Sequence, residues 1–401
     1  MFLSRGVLED RLATRDERFL NYSIMIPFIN IRAQREAYKS EFLQAEQEVL
    51  DSGCYIGGPV VQALETELAA FTGAKHVVTC GSGTEALTIA LMALGLEPGD
   101  EVIVPDFTFI APAECVLRLG GIPKFADIDA ETLQISVQSI ETLIGPKTRG
   151  IIAVNLFGQC APYREIKKIA SAHGLWLIED SAQAFGATQN GQSACTFGDI
   201  SITSFYPAKP LGCYGDGGAL FTANKELANK MRMLANHGSA GRYRHEIVGV
   251  NSRLDAIQAA VLRVKLRHLN DELKTRRENA QKYNEFFAEY NSAVSSAGVC
   301  ESSVSAKIVP QKLAEGNTST YAQYTVLADN RDSFIEKLNT AGIPHCIHYP
   351  APLHEQPCFK GLVQGAENKN AIAACKKVVS LPFCAFTDVD TIVERLVDYR
   401  D

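Results

Sequence analysis

The sequence predicts an α/β protein with a large three-layer domain, built on a mostly parallel sheet, and a smaller α+β domain at the C-terminus. Between residues 76 and 222, short apolar strands alternate with helices. Strands without a polar face are typical of a parallel sheet that helices cover on both sides. After residue 290 this alternation stops, and 401 residues are enough for a second, smaller unit. We therefore expect an N-terminal extension over residues 1–24, a large domain over 25–290 and a small domain over 291–401.

Two helices are expected before the alternating part. Ala33–Asp51 has apolar residues near helical spacing and ends at Ser52-Gly53, which is a typical helix stop. The second helix, Val60–Thr72, follows a Gly57-Gly58-Pro59 turn and is closed by Gly73.

The alternating part begins at residue 76. Its predicted strands are His76–Cys80, Glu101–Val104, Pro123–Ala126, Gly150–Val154, Leu175–Asp180, Ile200–Phe205 and Ala219–Thr222. Its predicted helices are Ala86–Leu94, a segment through Cys115–Leu117, and Arg164–His173, and two further helices, Leu227–Ala235 and Ala256–Thr275, lie outside the alternation. In folds of this kind the ligand site lies beyond the carboxyl ends of the strands.

The last hundred residues carry a different pattern. A Ser/Ala/Gly-rich stretch over 291–305 is interpreted as a domain boundary or a long loop. It precedes a strand at Tyr321–Leu327, a helix at Arg331–Ala341, a strand at His345–Tyr349 and an amphipathic helix at Val389–Tyr399. This order predicts the small α+β domain.

Composition excludes several classes of protein. The chain has 39 Lys and Arg against 46 Asp and Glu and no basic tract, so nucleic acid and anionic membranes are not expected as primary partners. No apolar run approaches the roughly 20 residues of a membrane span, and the N-terminus lacks a signal-peptide core, so we expect a cytoplasmic protein. The 11 cysteines form no Cys-x-x-Cys pair, which argues against a metal site and against a disulfide framework.

Lys209 has the most unusual position of any lysine in the sequence. It lies in the segment Ser204–Gly218, a turn rich in glycine and proline between two predicted strands. Proline restricts the backbone there, and glycine permits tight turns that other residues avoid. Neighbouring aromatic rings would remove water from the lysine and lower its pKa. The alternative is a solvated loop lysine. A lysine with a lowered pKa in a fixed turn would be able to bind an aldehyde covalently.

Three further strand ends carry polar or aromatic groups. Gly81-Ser82-Gly83-Thr84 would offer backbone N–H groups and a hydroxyl to a phosphate, or would simply cap a helix. Phe109 could stack on an aromatic ring or belong to the core. Asp180 ends an apolar strand, where an acid is costly unless a cation pairs with it or it caps the next turn.

These features occur in an order that fits one cofactor, pyridoxal 5′-phosphate (PLP). The cradle would hold its phosphate, Phe109 its ring, Asp180 its protonated pyridine nitrogen and Lys209 its aldehyde. Gln183 and Ser204 complete the set.

The same segments, with others, carry a resemblance that runs from about Ile26 to the C-terminus. They are Tyr55-Ile56-Gly57-Gly58-Pro59, Ser82-Gly83-Thr84, Pro105-Asp106-Phe107-Thr108-Phe109, Glu179-Asp180-Ser181-Ala182-Gln183, Ser204-Phe205-Tyr206-Pro207-Ala208-Lys209, Gly215-Asp216-Gly217-Gly218, Asn251-Ser252-Arg253-Leu254-Asp255 and His348-Tyr349-Pro350. In these segments the sequence resembles the DegT-type nucleotide-sugar aminotransferases, which are fold-type I PLP-dependent transferases, and it is most like the sugar 3-aminotransferases.

The resemblance implies a role for each matching residue. Lys209 would bind the cofactor covalently and move protons, and Asp180 would pair with the pyridine nitrogen. Gln183 would approach the ring hydroxyl, and Phe109 would stack on the ring. Gly83, Thr84 and Ser204 would hold the phosphate, with Asn251 reaching it from a neighbouring subunit. Ser82 is a further cofactor-binding candidate.

The resemblance also implies the reaction and the partners. It implies a homodimer with shared active sites, glutamate as the amino donor and a nucleotide-linked keto sugar as the acceptor, in amino-sugar and cell-surface polysaccharide (lipopolysaccharide) synthesis. A 3-keto hexose or a 3-keto uronic acid is favoured because Ile343–Pro350 is most like enzymes that aminate the 3 position. Arg253, His348 and Tyr349 would bind the substrates, although Arg253 could instead pair with Asp255.

Four other functions are alternatives to a 3-keto-sugar aminotransferase. One is an aminotransferase for a 4-keto nucleotide sugar. Another is a PLP-dependent lyase or decarboxylase, which would share Lys209 and Asp180 but not the segments Asn251-Ser252-Arg253 and His348-Tyr349-Pro350. A regulator with an inert domain of this kind would need a DNA-binding module, for which residues 1–24 are too short. A dinucleotide-dependent oxidoreductase would need a third glycine after Gly81 and Gly83.

Overall fold

The protein is described by a computed structural model that covers residues 25–296, 306–362 and 367–398. The expected extension over 1–24 lies outside the described residues, as do residues 297–305 and Tyr399.

The α-helices are α1 (Ile31–Ala37), α2 (Lys39–Ser52), α3 (Gly58–Thr72), α4 (Gly83–Leu94), α5 (Ala111–Arg118), α6 (Val137–Leu143), α7 (Tyr163–His173), α8 (Lys225–Leu234), α9 (Ala256–Ser296), α10 (Arg331–Thr340), α11 (Lys369–Lys377) and α12 (Val389–Asp398).

The strands fall into one large sheet and three small ones. The large sheet contains β1 (His76–Cys80), β2 (Glu101–Pro105), β3 (Ile122–Ala126), β4 (Thr148–Val154), β5 (Trp176–Asp180), β8 (Ile200–Ser204) and β9 (Gly218–Thr222). The small sheets contain β6 (Thr188–Gln189) and β7 (Gln192–Ser193) with β13 (Asn317–Thr318); β10 (Ser239–Gly241) with β11 (Arg244–His245); and β12 (Ile308–Pro310), β14 (Tyr324–Ala328) and β15 (Val378–Leu381).

The large sheet has the order β1-β9-β8-β5-β4-β2-β3, and only β9 runs antiparallel to its neighbours. Successive residues of its central strands face opposite sides. Ile152 and Ile178 pack with α4, α5 and α8 on one face, whereas Ile151 and Leu177 pack with α7 on the other. The mostly parallel sheet between two helical layers confirms the predicted fold class.

The sequence interpretation placed the end of one helix wrongly. The helix expected over Ala256–Thr275 is α9, which continues to Ser296 without a break over 41 residues. No glycine or proline interrupts residues 256–296, and apolar residues continue at helical spacing beyond 275. The first part of α9 packs Leu269 and Leu273 into the large domain, whereas Ala280 and Tyr283 pack into the small-domain core. The predicted division at 290/291 therefore falls inside this helix.

The strand expected over His345–Tyr349 is also wrong. Only Cys346 makes a strand-like bridge, to Ser380, and the rest of the segment is loop. Pro344 and Pro350 flank it and have no N–H for a ladder, so the segment leaves the small sheet and its side chains reach the large domain. Short elements that the sequence did not indicate include α6, α11 and β15.

Smaller differences concern element ends. The helix expected over Ala33–Asp51 is divided at Tyr38 into α1 and α2. The strand expected from Tyr321 begins at Tyr324. In the described ranges, we find no helix with the length and apolar character that a membrane crossing requires.

Candidate active site

A cradle lies where β1 and β8 end and α4 begins. A Cβ atom on Gly83 would lie 2.7 Å from the Cβ atom of Ser204, so glycine is required for β8 to approach the helix start. Across the turn, a Cβ atom on Gly218 would lie 2.5 Å from the carbonyl oxygen of Ser82. These close approaches fix the start of α4, whose backbone N–H groups could bind an anion.

The hydroxyl groups of the cradle have different partners. Ser82 is the N-cap of α4, and its Oγ accepts a hydrogen bond from the Glu85 N–H at 3.1 Å. The capping alternative thus describes the side chain of Ser82. The hydroxyl of Ser204 accepts a hydrogen bond from the Tyr206 N–H at 3.3 Å, and within the described ranges the side chain of Thr84 makes no hydrogen bond.

Asp180 ends β5 and is 5% exposed. Its Oδ1 accepts a hydrogen bond from the Ala182 N–H at 2.9 Å, and in the described part of the chain no lysine or arginine forms a salt bridge with it. Burial raises the pKa of Asp180 to about 6, although the nearby charge of Lys209 opposes the shift. The carboxylate can therefore accept further hydrogen bonds, and a cationic donor would offset the cost of its burial.

Lys209 lies in a closed turn after β8. Its backbone N–H donates to the Tyr206 carbonyl at 2.9 Å, and the Cys213 N–H donates to the Phe205 carbonyl at 2.7 Å. Burial lowers the pKa of the Lys209 amine, and the carboxylate of Asp180 opposes this effect. A lysine in fully solvated surroundings would have no such shift, so the alternative of a simple loop lysine does not describe it.

Gln183 links the two domains at the site. Its Oε1 accepts a hydrogen bond from the Phe157 N–H at 2.7 Å, and its Nε2 donates to the hydroxyl of Tyr349 at 3.2 Å. The first bond fixes the orientation of the amide, so the NH₂ group must face Tyr349. Burial raises the pKa of Tyr349, which therefore keeps its proton.

Phe109 does not belong to the core in this chain. It is 53% exposed, and its ring centroid lies 6.5 Å from that of Tyr349, with the two rings tilted. The exposed Phe109 ring, close to Tyr349, is therefore free to stack on a ligand.

His348 is held by a residue that the sequence interpretation missed. Its Nδ1 lies 2.9 Å from the Oγ of Ser380, in β15. Burial and the nearby charge of Lys209 lower the pKa of His348, so the imidazole is neutral near pH 7. The signal for Ser380 was a single polar residue within Val378-Val379-Ser380-Leu381, but only the fold brings it to His348.

Asn251 and Arg253 do not join the other residues within one chain. In this segment the side chains alternate, with Ser252 and Leu254 buried and Asn251, Arg253 and Asp255 exposed. Ser252 anchors the segment beside the cradle, where its Oγ accepts a hydrogen bond from the Gly81 N–H at 3.0 Å. Within the part of the chain that the structure describes, Asn251 has no side-chain hydrogen bond, and Arg253 forms no salt bridge, so its alternative pairing with Asp255 is absent.

The residues present fit PLP. Gly83 and Gly218 let β8 and β9 pack closely against a helix start, whose N–H groups suit a phosphate. Among the described residues no cationic side chain pairs with Asp180, and a protonated pyridine nitrogen would supply such a partner. Lys209 has a lowered pKa and lies close enough to Asp180 for each charge to shift the other's pKa. The cradle, the acid and the lysine lie at the carboxyl ends of neighbouring strands, as expected for this architecture.

Comparison with known proteins gives a consistent result. The sequence model of the DegT/DnrJ/EryC1/StrS aminotransferase family matches residues 36–397. The chain is 44% identical to the UDP-2-acetamido-2-deoxy-3-oxo-D-glucuronate aminotransferase of Pseudomonas aeruginosa, over 92% of this chain and 98% of that protein. It is 40% identical to the UDP-N-acetyl-3-dehydro-alpha-D-glucosamine 3-aminotransferase of Acidithiobacillus ferrooxidans, over 89% and 92%. A DegT DnrJ EryC1 StrS aminotransferase from Brucella abortus has a similar structure, with a TM-score of 0.86, 36% identity and coverage of 93% and 99%.

Proposed function

This chain belongs to the DegT/DnrJ/EryC1/StrS aminotransferase family and is a PLP-dependent aminotransferase, and from this premise we propose that it aminates a nucleotide-linked 3-keto sugar. A 3-keto hexose or 3-keto uronic acid is the acceptor, and glutamate is the amino donor. The observation that carries this proposal is the 44% identity, along nearly the whole of both chains, to an enzyme named for a 3-oxo-glucuronate substrate.

Each residue of the site has a defined task in this reaction. PLP, when bound, supplies an aldehyde and an electron-withdrawing ring that stabilises negative charge on the carbon next to the nitrogen. Asp180 keeps the ring nitrogen protonated, since its carboxylate is buried and can accept a further hydrogen bond from that nitrogen. The amine of Lys209 is the base that removes the α-proton of the amino donor, and its lowered pKa favours this role near neutral pH.

The sugar would bind between the two domains. His348 and Tyr349 lie on the segment that leaves the small domain, and Tyr349 shares a hydrogen bond with Gln183 of the large domain. A guanidinium binds a carboxylate with two parallel hydrogen bonds, so Arg253 would hold the carboxylate of glutamate or of a uronic acid. Because Arg253 and Asn251 are exposed in one chain, we propose that they act across a homodimer interface, where each site draws residues from two subunits.

The biological setting follows from the same chemistry. We propose a cytoplasmic enzyme that supplies amino sugars for cell-surface polysaccharide such as lipopolysaccharide. Its substrate must come from a dehydrogenase that oxidises the 3-hydroxyl group of a nucleotide sugar, because the acceptor carries a ketone at that carbon.

The test is a comparison of kcat/KM for matched nucleotide sugars, with the ketone at C3 or C4 and with or without a carboxylate at C6. A preference for the 3-keto pair supports the proposal, and a preference for the 4-keto pair rejects the position. Within the 3-keto pair, no effect of the carboxylate rejects only the uronic acid.

Arg253→Lys separates charge from geometry in the same assay. Lysine keeps the charge but loses the paired donors. The kcat/KM for the carboxylate-bearing substrate should therefore fall by a factor that corresponds to roughly 1–3 kcal/mol of lost binding free energy. Arg149→Lys is the control. Arg149 lies near the amino end of β4, away from the carboxyl ends of the strands, so this change should leave kcat/KM unchanged.

A further inference from the structure

A chain of three side chains leads from the small-domain sheet to the active site. Thr325 in β14 and Ser380 in β15 lie opposite each other in the antiparallel pair. The Oγ1 of Thr325 lies 2.9 Å from the Oγ of Ser380, and that oxygen lies 2.9 Å from the Nδ1 of His348. Ser380 is fully buried and Thr325 is nearly so, which excludes bulk water from both hydroxyl groups.

The direction of these hydrogen bonds follows from the donors and acceptors present. Thr325 must donate its hydroxyl hydrogen to Ser380, since no other acceptor lies within hydrogen-bond distance of its Oγ1 in the described ranges. Ser380 then accepts from Thr325 and has one acceptor left for its own hydrogen, the Nδ1 of His348. The opposite direction would leave the Thr325 hydrogen buried without an acceptor, which is costly.

The nitrogen that accepts a hydrogen bond cannot carry a hydrogen. A neutral imidazole has one N–H group, so if Nδ1 accepts, the hydrogen is on Nε2. The imidazole is neutral near pH 7 because its partial burial lowers the pKa of His348.

We propose that Thr325 and Ser380 are positioning residues that hold His348 in the tautomer with the hydrogen on Nε2, so that the imidazole presents a hydrogen-bond donor to the active site. Nε2–H would then donate to an oxygen atom of the sugar. The assignment of the ligand rests on the proposed function, whereas the tautomer does not.

Nitrogen-15 NMR of the PLP-loaded, histidine-labelled protein tests the tautomer directly. The protein has eight histidines, and the signals of His348 are identified by their loss in His348→Gln. We expect a protonated Nε2 and an unprotonated, hydrogen-bonded Nδ1. A protonated Nδ1 would overturn the proposal.

Thr325→Val tests whether the hydroxyl of Thr325 sets the tautomer of His348. Valine keeps the branched shape but removes the hydroxyl, so Ser380 becomes free to accept from Nδ1 and the His348 signals should shift towards a mixture of tautomers. Thr325→Ser should restore the wild-type signals. The control is Thr318→Val, which removes a hydroxyl from another cross-strand pair, Thr188–Thr318. Unchanged His348 signals in Thr325→Val would show that the hydroxyl chain does not set the tautomer.

Kinetics of the two half-reactions then test the function of the donor. We expect Thr325→Val to lower kcat/KM for the keto sugar about tenfold, through KM, and to leave the half-reaction with glutamate unchanged. An equal loss in both half-reactions would indicate a structural role and reject a donor to the sugar. If the wild-type protein aminates no keto sugar, the proposed function fails while the NMR result still decides the tautomer.

Discussion

PLP requires an ionised carboxylate at Asp180, but in the PLP-free protein this buried charge lowers the free energy of unfolding. The carboxylate is buried with one backbone N–H as its hydrogen-bond donor, and its pKa is raised to about 6. A raised pKa means that the folded protein resists losing the proton. The free energy of unfolding of the PLP-free protein should therefore decrease as the pH rises from about 4 to about 6, by up to about 3 kcal/mol, and stay lower above that range.

Asp180→Asn removes this titration. In the PLP-free form at pH 7, we expect the variant to be more stable than the wild-type protein by about 1–3 kcal/mol, with the difference disappearing near pH 4. Transamination should nevertheless slow by orders of magnitude, because a neutral amide does not keep the ring nitrogen protonated. Denaturant unfolding at both pH values measures the first effect. A variant of equal or lower stability at pH 7, or one with near-normal turnover, would contradict the role of Asp180.

Lys209→Ala tests the covalent attachment. The variant should lose transamination and the yellow absorption that a lysine-bound PLP gives, because the amine that would bind the aldehyde is removed. Lys168→Ala, on the exposed face of α7, serves as the control and should retain both properties. Turnover and absorption that persist in Lys209→Ala would refute the assignment.

Individual residues of the site were predictable when their local sequence was unusual. Lys209 stood out among glycines and prolines, and Asp180 stood out as an acid that ends an apolar strand. Ser380 and Thr325 were not predictable in this way, because their importance comes from a pairing across 55 residues of chain and from a loop that reaches them.

At the scale of elements, the cradle depends on how closely β9 approaches the turn between β1 and α4. In Gly218→Ala, the new Cβ atom would lie 2.5 Å from the Ser82 carbonyl oxygen, which is backbone and must move. We expect the dissociation constant for PLP to rise at least tenfold while the protein stays folded. Gly241→Ala adds a Cβ atom in open space on β10 and should leave PLP binding unchanged. Equal PLP affinities of the two variants would show that the turn does not form the phosphate site.

Helices and strands were predictable where the apolar pattern and the turn residues at its ends indicated the same boundaries. Most strands of the large sheet were found within a few residues, since each is a short apolar run bounded by turn residues. The end of α9 was not found, because its apolar face passes from one hydrophobic core to another and the pattern does not show which core a residue enters. The segment His345–Tyr349 has the composition of a strand, but its prolines and its contacts with the large domain prevent a ladder.

At the scale of the whole molecule, the site needs contributions from both domains and, in our proposal, from two subunits. Asn251 follows the β10–β11 hairpin and is exposed, although its neighbour Ser252 is anchored beside the cradle. A mixture of Lys209→Ala with Asn251→Ala should recover part of the activity, because one of the two sites in a mixed dimer carries neither change. Absence of recovery, after subunit exchange has been demonstrated by mass spectrometry, would count against shared sites.

The arrangement of the whole molecule was predictable only as a class. The alternation of strands and helices indicates a parallel sheet with its site at the carboxyl ends of the strands. The strand order and the antiparallel β9 depend on contacts between distant parts of the chain, for which the local pattern gives no signal. The same holds for the contact between Gln183 and Tyr349, which are far apart in sequence and close the site between the two domains.

The central claim is that this enzyme moves the amino group of glutamate to C3 of a nucleotide-linked keto sugar. The most direct measurement follows the cofactor spectrum of the purified enzyme while glutamate and then the keto sugar are added, and identifies the aminated carbon by NMR of the product. We expect glutamate to remove the absorption of the aldehyde form, a 3-keto nucleotide sugar to restore it, and the product to carry its amine at C3. A spectrum that glutamate does not change, or that only a 4-keto sugar restores with the amine at C4, would contradict the account.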